Sequence, residues 1–72
     1  MTLDEKTIRI NRYPIKLGQF LKLAGIVQDG FEAKALITNE AVSVNNIVET
    51  RRGRQLTQED TVTVEDTTYI CS

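Results

Sequence analysis

Residues Ile15 to Asn46 read IKLGQFLKLAGIVQDGFEAKALITNEAVSVNN. Leu17, Phe20, Leu21 and Ala24 stand at i, i+3, i+4 and i+7, the spacing that gathers apolar side chains on one face of a helix. Lys16, Gln19 and Lys22 step by three along the polar side and share one flank. Gly18 lies inside this helix and weakens it by roughly 1 kcal/mol relative to alanine, so packing has to hold it. Gly25 is a natural stop. Asp29-Gly30-Phe31-Glu32 then has the form of a capping box, with Asp29 accepting from first-turn amides and Glu32 reaching back. It opens a second helix that points Ala33, Leu36 and Ile37 inward and Lys34 and Thr38 elsewhere, and that ends near Asn39. Small residues at Ala33 and Ala35 allow the helices to approach closely. At Val42 and Val44 the apolar period changes to alternation, the mark of a strand. Asn45-Asn46, both tolerant of the left-handed conformation, set a tight hairpin turn before Ile47 and Val48.

Outward from this stretch the pattern is simpler. Met1 to Lys6 form a loose polar start, Thr7 to Ile10 (TIRI) alternate as a short strand, and Pro14 disfavours helix at Tyr13. On the far side, Arg51 to Arg54 (RRGR) make a loop or an irregular strand edge, and Leu56 anchors the chain again. Gln58 to Asp60 turn, Thr61 to Glu65 (TVTVE) form a strand with Val62 and Val64 inward, and Thr68 to Cys71 form the last strand. The TIRI strand pairs most economically with that last one. The expected fold class is α+β: two adjacent helices packed on a small, mainly antiparallel sheet, in one domain spanning 1–72 with its core motif at about 15–64.

Composition narrows the function. With 72 residues, 40% hydrophobic and 26% charged, the chain has the make-up of a soluble globular domain. No apolar run approaches the roughly 20 residues needed to cross a bilayer. The start MTLDEKTIRI lacks the basic and apolar regions of a signal peptide, and a lone Cys71 makes no internal disulfide, which together point to the cytoplasm. There is no histidine, one cysteine is too few for a zinc site, and Gly18, Gly25, Gly30 and Gly53 fit neither nucleotide-binding glycine pattern. The expectation is a protein that is not an enzyme and takes no cofactor or metal. Asp29 and Glu32 read as a helix cap rather than as catalytic carboxylates.

The formal charge of −1 conceals a segregation. Lys6, Arg9, Arg12, Lys16 and Lys22 supply five bases and no acid lies between Lys6 and Ala24, whereas Gln55 to Ser72 hold Glu59, Asp60, Glu65 and Asp66 and no base. RRGR puts Arg51, Arg52 and Arg54 within four residues. A chain arranged this way can carry a basic face on a nearly neutral total.

These motifs resemble a known family. Lys16-Leu17 continuing to Leu21, the capped helix with Ala33-Lys34, Ile37, the strand Val42 to Asn45, RRGR, and the late TVTVED strand are similar to the S-four RNA-binding domain, or alpha-L motif. Within that family the LGQFLKLA and RRGR stretches are most similar to small stand-alone bacterial members of the YaaA type. The resemblance covers about Ile15 to Val64. It departs where the family often has Arg after the second helix cap (here Gly30), and Gly on either side of the Val-x-Val-Asn strand (here Glu40 and Asn46).

The resemblance implies binding to structured RNA, ribosomal RNA above all, on a ribosomal subunit and in the assembly of the large one, by a monomer. The expected RNA-binding residues are Lys16, Gln19, Lys22, Lys34, Asn45, Arg51, Arg52 and Arg54. Lysines displace counterions from phosphates, and guanidiniums fork onto phosphates or stack on exposed bases. Asn45 serves the turn as well. Tyr13 and Phe31 are aromatic groups able to stack on bases or to pack partly buried. The alternative is a protein-interaction adaptor that uses the same fold without RNA, with the acidic C-terminal segment as its contact.

Overall fold

The alternation in Val42-Ser43-Val44 and Thr61-Val62-Thr63-Val64 gives two neighbouring strands with valines on one face and hydroxyl side chains on the other. The computed structural model, which describes residues 4–72, is built on that pair. In chain order the elements are β1 (Asp4–Ile8), β2 (Ile15–Lys16), α1 (Leu17–Leu23), α2 (Gly30–Thr38), β3 (Val42–Val44), β4 (Ile47–Val48), β5 (Gln55–Leu56), β6 (Thr61–Val64) and β7 (Thr67–Cys71). Five strands form one sheet in the order β1-β7-β6-β3-β4, and β2 and β5 form a separate two-stranded ladder. Every pair is antiparallel except β1 with β7, which is parallel. The protein is α+β, with two helices on a mainly antiparallel sheet.

Register explains the sorting of side chains. Val42 faces Val64 and Val44 faces Val62, so four valines share the buried face. On the opposite face Thr63 and Thr68 are paired, with their hydroxyls 3.1 Å apart. Leu17, Phe20 and Leu21 of α1 and Ala33 and Ile37 of α2 close over the valines, joined by Ile10, Val27, Leu56 and Cys71. Ala24 and Leu36 reach only the rim of this core, and Ala35 is exposed, so Ala33 alone serves the approach of the helices. Ile47 and Val48 are exposed on the edge strand β4.

Asn45 and Asn46 turn the chain with φ of 51° and 71°, as a two-residue hairpin loop between Val44 and Ile47 requires. Both helices end in the same left-handed motif. After α1, Gly25 (φ 77°) donates to the Lys22 carbonyl and Ile26 to that of Leu21. After α2, Glu40 (φ 61°) donates to the Ile37 carbonyl and Ala41 to that of Leu36. At the start of α2, Asp29 accepts from the Glu32 amide at 2.8 Å. Among the described hydrogen bonds the reciprocal half of the expected box is absent, and Glu32 instead lines a hollow with Ile26 and Leu36.

Two local expectations shift. The first strand begins before Thr7 and stops at Ile8, so Asp4 to Lys6, expected as part of a loose start, pair with Thr67 to Tyr69 (Met1 to Leu3 lie outside the described residues). Asp4 to Thr7 are all exposed, which leaves no alternation to read. Ile10 is buried just beyond the ladder, and its amide donates to the Ser72 oxygen at 3.0 Å. The ladder β2–β5 was not expected, because two residues on each side carry no periodic signal.

Candidate nucleic-acid interface

α1 begins against the loop that carries RRGR. The Leu17 amide donates to the Arg54 carbonyl at 2.8 Å and the Gly18 amide to the Arg52 carbonyl at 3.0 Å. Two amides that a helix start leaves unpaired are thus satisfied by the loop's main chain, and the loop is held against the helix. The pairs Ile15–Leu56 and Lys16–Gln55 fasten the same junction from the other side. Gln19 Oε1 accepts from the Lys16 amide at 3.4 Å.

The side chain of Arg52 crosses the helix at Gly18. A Cβ at position 18 would stand 2.7 Å from Arg52 Cγ, inside any tolerable contact. Glycine at this point lets the guanidinium stem lie on the helix backbone, which accounts for a residue that helix propensity alone disfavours. Beside it runs a groove of about 350 Å³ lined by Lys16, Gly18, Gln19, Lys22, Gly30, Arg52 and Gly53. A second hollow, lined by Arg12, Pro14, Ile15, Gln19, Lys22 and Leu23, shares Gln19 and Lys22 with the first. The two together present Arg12, Lys16, Lys22 and Arg52, and among the described residues no carboxylate lines either. Their charges add along a surface of one sign.

The three arginines of the loop have different tasks. Glu49, nearly buried, accepts from the amides of Thr50 and Arg51 at 3.0 Å each and holds Arg51 in a two-pronged ion pair, Nε to Oε2 and Nη2 to Oε1, both 3.0 Å. Arg54 Nε reaches the same carboxylate at 3.2 Å. The Arg51 hydrogen bonds, against the opposing effect of burial, bring the Glu49 carboxyl down to about 2. Arg54 also donates to the Gln55 carbonyl at 3.2 Å and lies 3.7 Å from Asp60. Its side chain is 28% exposed, whereas that of Arg51 is 74% exposed and keeps an open edge while paired. Among the described residues Arg52 makes no ion pair. It is therefore the arginine of RRGR best placed for an outside anion.

Asn45 belongs to the same polar chain. Its Nδ2 donates to Asp60 at 3.1 Å, and its Oδ1 accepts from the Thr61 amide at 3.0 Å. The side chain thereby ties the β3–β4 hairpin to the start of β6. Lys34 lies outside the groove walls; it is exposed one helical turn beyond Gly30, on the same flank of α2. Tyr13 is half-buried and donates to the Ser72 oxygen at 2.9 Å, and burial raises its hydroxyl above the ordinary value. Cys71 is buried, and its thiol is pushed up to about 11, a setting for packing rather than reactivity.

Of the expected site residues, the groove gathers Lys16, Gln19, Lys22 and Arg52. It does not include Lys34, Asn45, Arg51 or Arg54. Three contributors were not read from the sequence: Arg12, brought in by the turn at Pro14; Gly18, a crossing point for a distant side chain; and Glu49, the anchor of the loop. Only Arg12 left a signal, as one of the bases of the acid-free segment. Among the described residues no group of three or more His, Cys, Asp or Glu side chains is gathered for a metal ion. No described helix is long and apolar enough to cross a membrane.

Comparison with known proteins identifies the family of the fold. A family model described as S4 domain matches residues 8–71. The chain is similar to the probable ribosome maturation protein RlbA of Bacillus subtilis (strain 168), at 45% identity over 58 residues, which cover 81% of this chain and 82% of that protein. The match to the family model takes in both helices, the RRGR loop and all of β2 to β7. With nearly the whole fold inside it, the chain belongs to the S4 domain family, the S-four RNA-binding domain its motifs resemble.

Proposed function

We propose that this protein binds structured RNA, ribosomal RNA above all, without catalysing a reaction on it, and that it acts in maturation of the large ribosomal subunit in the cytoplasm. The observation that carries this reading is the groove of an S4 domain and the hollow beside it, neither lined by a carboxylate among the described residues, which bring together Arg12 from the turn before β2, Lys16 from β2, Lys22 from α1 and Arg52 from the 51–54 loop. The name of the Bacillus subtilis relative supports the ribosomal part.

Cations on a helix and a braced loop keep fixed spacing, so they favour phosphates presented by folded RNA over a flexible strand. Shape rather than base sequence decides the fit. Lys34 and the open edge of Arg51 extend the contact beyond the groove. With about four to six phosphates engaged, log affinity falls with log salt with a slope of roughly −3 to −5. The protein works as a monomer and needs no cofactor for this task.

Crosslinking in cells followed by sequencing of the bound RNA tests the reading. The expected result is a small set of sites in large-subunit ribosomal RNA, lost when Lys22→Ala and Arg52→Ala are combined. Crosslinks scattered over cellular RNA, or unchanged in that double variant, would refute it.

A further inference from the structure

The outer face of α2 carries an aromatic ring that the fold does not use. Phe31 is 84% exposed, whereas Phe20 is fully buried and Tyr13 and Tyr69 pack against the core. With Lys34, Ala35, Thr38 and Asn39 it lines a shallow hollow of about 260 Å³. Phe31, Lys34, Ala35 and Thr38 follow the i, i+3, i+4, i+7 pattern on the side of the helix turned away from Ala33 and Ile37. Phe31 directly follows Gly30, which lines the basic groove, so ring and groove share the first turn of α2.

We infer that this hollow is a nucleotide subsite, in which Phe31 stacks on an unpaired base of the RNA whose backbone lies in the groove. The inference rests on the RNA-binding reading above and adds a chemical class of ligand to it. Charge selects the occupant. Among the described residues the only ionisable side chain lining the hollow is Lys34, a cation, and it stands one turn from the ring, where it meets the phosphate of the stacked nucleotide. The amide of Asn39 and the hydroxyl of Thr38 lie at the far end, as a donor and acceptor pair for a base edge. An apolar peptide would gain from the ring but would set Lys34 beside a partner with no charge to offer. A flat π-face next to a cation, continuous with a phosphate-binding groove, suits an exposed base in a loop or bulge.

The chain has no tryptophan, so Phe31→Trp places a single fluorescent reporter in the hollow. Two RNAs serve as probes: a stem-loop with an unpaired purine loop, and a blunt duplex of the same length. The expected result is strong quenching of the introduced indole by the stem-loop and little by the duplex. Phe31→Ala, with its fold checked by circular dichroism, should weaken stem-loop binding roughly ten-fold or more while leaving duplex binding and the salt slope unchanged. Equal binding of the stem-loop by wild type and Phe31→Ala overturns the subsite and leaves the RNA-binding reading standing. Binding of neither RNA by the wild type overturns both. A blue shift of the indole emission on adding RNA-free ribosomal proteins, with no response to RNA, overturns the subsite in favour of a protein contact.

Discussion

Arg52 lies across Gly18: its carbonyl accepts the Gly18 amide at 3.0 Å, and its Cγ occupies the space a Cβ at position 18 would need. Loop and helix, far apart in sequence, are shaped to one another at this crossing. Gly18→Ala should therefore fall short of the stabilisation of roughly 1 kcal/mol that helix propensity promises, because the arginine stem must move. It should also weaken RNA binding, and the two effects should vanish in an Arg52→Ala background. Thermal unfolding and a binding titration of the four proteins close the cycle; full additivity would show that the crossing has no energetic consequence.

The arginines of RRGR should separate by role. Arg52→Ala should flatten the salt slope by about one while leaving the unfolding midpoint nearly unchanged. Arg54→Ala should do the reverse, lowering stability by removing a partner from Glu49 and Asp60 with a small effect on the slope. Arg51→Ala should affect both, since that guanidinium anchors the loop and remains open to solvent. Identical slopes for Arg52→Ala and Arg54→Ala would overturn this division.

Glu49 sets an acid limit. Its carboxyl sits at about 2 in the folded protein against an ordinary 4.5, chiefly through the Arg51 hydrogen bonds. A carboxyl depressed by folding stabilises the fold fully above its unfolded value, and the contribution is lost as pH falls from about 4.5 toward 2. Glu49→Gln should remove much of the stability change over that window and lower neutral-pH stability by about 1–3 kcal/mol. Urea unfolding at pH 7, 4.5 and 3 measures both; a variant whose stability falls with acid as steeply as the wild type would place the sensitivity elsewhere.

Glu40 holds a left-handed conformation at the end of α2 in a motif that closes α1 with Gly25. A side chain there costs about 1 kcal/mol that glycine does not. Glu40→Gly should raise stability by about that amount. A lower melting temperature for the variant would mean that the Glu40 side chain makes a compensating contact.

Gly30 lines the groove, and a Cβ built on it meets nothing within 4 Å among the described residues. Gly30→Arg should fit without strain, tighten RNA binding and steepen the salt slope by roughly one. Unchanged affinity at low salt would show that bound RNA does not pass the start of α2.

What the sequence determined by itself was whatever repeats with a short period or obeys a local rule. Leu17, Phe20 and Leu21 mark a helix because each sits within a turn of the next, and the valines of β3 and β6 mark strands because side chains alternate. Asp29, Gly25 and Asn45-Asn46 mark ends and turns because their backbone preferences act on adjacent residues. The segregation of charge was equally legible, and it pointed to Lys16, Lys22 and the RRGR loop. Tertiary structure alone decided how these pieces meet. Glu49 gives no sign in the sequence that it will bury a carboxylate and hold Arg51 and Arg54. Gly18 reads as a weak point in a helix until Arg52, far along the chain, is seen to need its missing side chain. Asn45 and Arg54 are drawn into the link through Asp60, and Arg52 remains for the groove, because hydrogen bonds and ion pairs form between whatever groups the packed core brings within about 3 Å. That distance depends on the fold and not on spacing along the chain.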